Sequence, residues 1–161
     1  MSQQVYFVFL FVSLTTLRMF LDNDLQSHQH QEEIFLKPEF HNFLNDVLKQ
    51  KPKKGFNKIS SFAKVLYEKD IKSNETINAL SSFHVWSDAY IQERMNWMPE
   101  KPMKAVFLQA FNIEEMMIPL KTEFQGCKSW VEINSNINES RSVLSDLVID
   151  SKLKEFKEIV N

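Results

Sequence analysis

The sequence predicts a mostly α fold, α+β only to the extent of a few short strands, packed as a single compact domain. Three observations lead there. Apolar residues recur at helical spacing in several stretches. The 161-residue chain carries 14 phenylalanines, an aromatic content that a disordered chain would lack. It has only 2 glycines, which argues against folds that spend glycine on phosphate-binding turns.

Taken in order, residues 5–17 read VYFVFLFVSLTTL, apolar and uncharged, with Arg18 behind them. That length suits a signal-peptide core and falls short of the roughly 20 apolar residues a membrane span wants. No Lys or Arg precedes the run, and no clean Ala-x-Ala step follows it. The expectation is a cleaved leader over residues 1–21, a polar His/Gln-rich lead-in over 22–36, and a helix-rich domain over 37–161. A retained anchor is the alternative. N-terminal sequencing of the mature chain separates the two.

Pro38 suits a first helical turn, because its missing N–H would go unpaired there anyway. Behind it Phe40, Phe43, Leu44, Val47 and Leu48 form one stripe at i, i+3, i+4, i+7 and i+8. A second helix is expected from Phe56, Ile59, Phe62, Ala63 and Leu66, with Ser60 or Ser61 capping a shorter version. A third starts near Ser73 or Asn74 and runs towards Met98, with Phe83 to Trp86 as a possible short strand within it. Pro99 and Pro102 close it. The run AVFLQAF, residues 105–111, reads as a buried strand or a short helix, and SWVEI, residues 129–133, as a strand. Val143, Leu144, Leu147 and Val148 predict a last helix, with Ser151 as a fresh N-cap for Leu153, Phe156, Ile159 and Val160.

A formal net charge of −2 with interspersed signs excludes the concentrated basic face that nucleic acid requires. The one basic run, residues 49–54, contains Pro52 and reads as a solvated loop. Cys127 is the single cysteine, so no intramolecular disulfide exists. Asn74-Glu75-Thr76 and Asn138-Glu139-Ser140 fit the glycosylation acceptor pattern, making Asn74 and Asn138 candidate modified residues. Both triplets also fall where helix starts are expected, and there Asn and Ser are capping residues.

Candidate chemistry is sparse. His28, His30, Glu32, Glu33 and His41 are the only cluster of metal-ligand types, and the two closely spaced histidines sit in the lead-in, whereas zinc wants ligands converging from fixed elements. His84 and Asp88 would share a face if both lay on one helix. A nucleophile beside them, Cys127 or a serine, has no place fixed by spacing, and His84 reads first as a structural residue. The adjacent acids Glu114-Glu115 and Glu32-Glu33 point to different sides of any helix or strand and make no dyad. Trp86, Trp97 and Trp130, with Met95, Met98, Met103, Met116 and Met117, read as core, with an adaptable binding groove as the functional alternative.

Three stretches carry a resemblance to serpins. Phe40-His41-x-Phe43-Leu44 resembles the start of serpin helix D, and residues 79–86, ALSSFHVW, are similar to the second strand of the main serpin sheet. Residues 127–132, CKSWVE, with Asn136 and Ile137, look like the helix F signature, with Cys127-Lys128 in place of Ile-Asn. Residues 62–67 compete for the strand position. The resemblance covers residues 40–140 and includes no reactive loop, so it implies a remnant that binds without trapping a protease, and no functional residue carries over.

The functional expectation is a small secreted binding or signalling protein, not an enzyme, with no metal or cofactor and an unidentified protein partner. The alternatives are a membrane-anchored or partner-docked subunit that keeps the N-terminal segment, and an enzyme whose site converges only in three dimensions.

Overall fold

The computed structural model describes residues 33–42, 45, 55–97, 99–100, 102–119 and 140–161. Its architecture is α+β rather than mostly α: among the described residues, three α-helices accompany a three-stranded antiparallel sheet. Two of the strands are long. β1 spans Phe56–Ile71 (16 residues) and β2 spans Met103–Pro119 (17 residues). They pair from Ile71↔Met103 at one end to Phe56↔Pro119 at the other. The connection between them holds α1 (Asn74–Ala79), a 3-10 turn (Leu80–Phe83) and α2 (Asp88–Trp97). A short β3 (Ser140–Ser142) pairs with Phe111 to Ile113 on the other side of β2, and α3 (Asp146–Val160) closes the chain.

The helix expected from Phe56 to Leu66 is the first half of β1 instead. Its apolar residues carry two periods at once: the helical set, and an alternating set of Ile59, Ala63, Val65, Tyr67 and Ile71. The register shifts twice: between Met116 and Asn112 β2 carries two residues more than β1 does between Ile59 and Ser61, and between Val65 and Tyr67 β1 carries one more than β2, Leu66. The extra residue at Leu66 breaks the strict alternation of β1 although the strand is continuous. Long-range pairing with β2 then outweighs local helical spacing.

β2 resolves the ambiguity of AVFLQAF as a strand. Ala105 and Phe107 on one face and Val106 and Leu108 on the other are all buried. A central strand covered on both faces reads as a continuous apolar run rather than an alternating one.

The core gathers at the Ile71/Met103 end of the sheet. Ile77 and Leu80 from the connection, Phe83, Ile91, and Ile149, Phe156 and Val160 from α3 close over Ala105 and Phe107. Phe83, Phe107 and Phe156 form a triangle, with ring centroids 6.5, 5.6 and 5.4 Å apart and rings tilted edge to face. α3 brings Ile149, Phe156 and Val160 to the same side through its 3.6-residue turn. It is one helix rather than two, and Ser151 lies inside it. Its end is tied to β1: the Asn161 Oδ1 accepts from Tyr67 Oη at 3.3 Å and Lys69 Nζ at 3.1 Å.

α1 begins at the expected place. Ser73 is its N-cap, accepting from the Thr76 N–H at 3.4 Å. The third predicted helix does not run on to Met98, because residues 84–87 are non-helical and separate the Leu80–Phe83 turn from α2. Residues 1–32, 49–54 and 120–139, and with them the expected leader, most of the lead-in, the basic run and the 129–133 strand, lie outside the described residues. Among the described residues no helix is long and apolar enough to cross a membrane.

Candidate functional site

Among the described residues, polar and aromatic groups meet where the segment 33–41 lies against residues 81–94. The segment is a strap of two 3-10 turns, Glu33–Phe35 and Pro38–Phe40, with Leu36 and Lys37 extended between them. Pro38 opens the second turn as its position in the sequence suggests. Leu36 bridges Trp86 in antiparallel fashion. The Lys37 N–H donates to the Val85 carbonyl at 2.9 Å, and the Ser87 N–H donates to the Phe35 carbonyl at 2.9 Å. Leu36 and Val85 are buried by this pairing, outside the main core cluster.

Two side chains fasten it. The Lys37 ammonium donates to the Ser81 carbonyl and, at 2.9 Å, to the His84 carbonyl, so it serves the end of the Leu80–Phe83 turn where backbone acceptors are left over. Partial burial holds its pKa below the ordinary lysine value, against the pull of Glu39 and Asp88. Ser87 Oγ donates to the Ile34 carbonyl at 2.7 Å and accepts from the Tyr90 N–H at 3.2 Å, so one hydroxyl both caps α2 and anchors the strap. His41 Nε2 donates to the Leu36 carbonyl at 3.1 Å. Tyr90 stands between Phe35 and Trp86, at 5.2 and 4.9 Å between centroids, and Arg94 lies 5.2 Å from the Tyr90 ring.

His84 sits beneath this junction at 5 % exposure. Burial pushes its pKa down to about 4, and the Lys37 charge pushes in the same direction; a hydrogen bond with the Trp86 backbone and the charge of Asp88 oppose them. The imidazole is therefore neutral at neutral pH. Asp88 opens α2 while His84 lies in extended backbone before it, so the two do not share a helix face. Ser87→Ala is expected to lower stability by about 1–2 kcal/mol in urea melts, because one change removes a cap and the strap's anchor. An effect below about 0.5 kcal/mol would show that the anchor is idle.

The other expected site residues are dispersed. His28, His30 and Glu32 lie outside the described residues, as do Cys127, Trp130, Met98 and Asn138. His41 is engaged by the strap itself, and among the described residues no group of three or more His, Cys, Asp or Glu is placed to hold a metal. Asn74 is exposed at the first residue of α1. Met103 is core and Met95 packs against it, while Met116 and Met117 lie towards the far end of β2, so these methionines do not line one groove. Glu115 pairs with Lys58 at 2.9 Å. The ALSSFHVW stretch is helical to Phe83, with Trp86 making only the single bridge to Leu36.

A second polar feature lies on the sheet. Lys104 Nζ on β2 stands 3.1 Å from Glu68 and 3.6 Å from Asp70 on β1. The hydrogen bond with Glu68 leads the causes that raise the Lys104 pKa. This is a solvent-facing ion-pair network across adjacent strands. Sequence reading passed over both lysines, 37 and 104. Neither has a local signal, because their partners lie 44 to 47 and 34 to 36 residues away in the chain.

A family model described as a domain of unknown function, DUF1802, matches residues 26–155. No curated protein and no solved structure matches the chain. The family match has no bearing on the serpin resemblance.

Proposed function

The chain belongs to the DUF1802 family, and from that premise we propose that it is a non-catalytic binding protein that engages a protein partner through the edge strand β1. The observation that carries this reading is the pair Val65 and Leu66. β1 is the long one of the two edge strands among the described residues, and Lys58, Lys64, Glu68, Lys69 and Asp70 are spread along it. Charges on an edge discourage unwanted pairing. Val65, at 60 % exposure, and Leu66, at 36 %, interrupt that guard where the register slips. Bulges re-aim side chains at functional edges. An apolar centre with Lys64 and Glu68 as its rim has the make-up of a small protein interface.

His84 supports the same reading. Its ring is buried and neutral and hydrogen-bonds with the Trp86 backbone. We place the partner outside the cell on the strength of residues 5–17 alone.

The test is site-specific photo-crosslinking of the mature chain in its native extracellular fluid. A crosslinking residue at Val65 is expected to capture one protein. Val65→Lys is expected to weaken binding of that purified protein at least tenfold (about 1.4 kcal/mol), with the melting curve unchanged. Equal capture from Lys154, exposed on α3, or no capture at Val65, would overturn the proposal.

A further inference from the structure

We propose that the strap of residues 33–41 is an acid-released latch: charging of His84 undocks it from residues 81–90 while the core stays folded. The geometry separates the two events. Leu36 and Val85 are buried in the junction and neither belongs to the cluster built on Phe83, Phe107 and Phe156, while the strap's partners Trp86 and Tyr90 pack on that cluster and stay with it. The strap's hold on residues 81–87 includes the Leu36–Trp86 bridge, the Ser87 links and the Lys37 ammonium on two carbonyls. One of those carbonyls belongs to His84 itself.

The charged groups acting on the imidazole are Lys37 from the strap and Asp88 from α2. A proton on His84 sets a second cation beside Lys37 in a site with little water. Asp88, already on the stabilising side, does not cancel burial and Lys37 together. Undocking relieves both: it carries Lys37 away and lets water reach the ring. His84 then returns towards its ordinary value of 6.5 from about 4. Proton linkage makes the undocked state ~30-fold more populated at about pH 5 than at about pH 7.5. The seat it uncovers carries Val85, which is buried in the docked state, beside the half-buried Trp86.

Amide hydrogen exchange on the full chain, corrected for intrinsic rates, tests this. Between about pH 7.5 and 5 the Lys37 and Ser87 amides are expected to lose ~30-fold in protection while the Phe156 and Val160 amides of α3 keep theirs. In His84→Gln the Lys37 and Ser87 amides are expected to be insensitive to pH. Titration of the His84 ring by NMR in the unaltered chain supplies a readout that needs no variant, with an expected midpoint well below 6.5. Loss spread equally over α3 would mean global unfolding and overturn the latch. Unchanged protection at Lys37 and Ser87, or a ring that titrates at 6.5 or above, would overturn it as well.

Discussion

Phe107→Ala and Phe156→Ala are each expected to cost about 3–5 kcal/mol in denaturant melts, among the largest effects of any single truncation in this chain. Both side chains are at 0 % exposure, and they touch each other and Phe83. Removing either ring takes away its own burial and leaves a cavity between α3 and β2 that rigid neighbours fill only in part. Domains of this size have about 5–15 kcal/mol in total, so either variant sits near the edge of folding. Because the rings share partners, the double variant should cost less than the two singles together. Phe156→Leu and Phe107→Leu keep most of the volume and allow the cycle to be measured if the alanine variants do not fold. Leu147→Ala, at 84 % exposure on the same helix, should stay within about 0.5 kcal/mol. A loss below about 1 kcal/mol for Phe156→Ala would mean that α3 is not packed on the sheet as described.

The triangle is also the part of the fold most legible in the sequence. The phenylalanine count announces an aromatic interior, and Phe156 lies on a helical stripe with Leu153 and Val160. The α1 start was legible for a different reason: Ser73 satisfies the helix locally, through the Thr76 N–H three residues on. Contacts that close within a turn leave a local pattern. β1 leaves an ambiguous one, because its apolar residues fit both periods, an extra residue falls at Leu66, and its partner strand begins beyond a 31-residue connection. The exposed Leu66 reads as part of a helical stripe for that reason, and Val65 falls outside that stripe. The burial of His84 was legible from its apolar neighbours Phe83 and Val85, whereas the strap that docks beside it was not. Lys37 looks like any surface lysine until residues 81–84 are folded against it.

The second large effect concerns the whole chain's stability in acid. His84 is held at about 4 in the folded protein and returns to 6.5 when unfolded. Between those values the unfolded chain binds a proton that the folded chain refuses, so stability rises with pH across the window and falls as the solution is acidified through it. At about 1.4 kcal/mol per pH unit, roughly 3 kcal/mol is lost between about pH 6.5 and 4, with little further loss from this residue below. Carboxylates that titrate in the same range add their own slopes, and His84→Gln isolates the imidazole: its curve should run flatter than that of the unaltered chain by the same amount. The latch draws on this linkage but is separable from it. If undocking is extensive near pH 4, part of the loss appears as a released strap, and the global difference shrinks towards the cost of seating residues 33–41. Parallel curves for the two proteins from pH 7 to 4 would mean that the ring carries a proton in the folded state, and both the buried neutral imidazole and the latch would fail together.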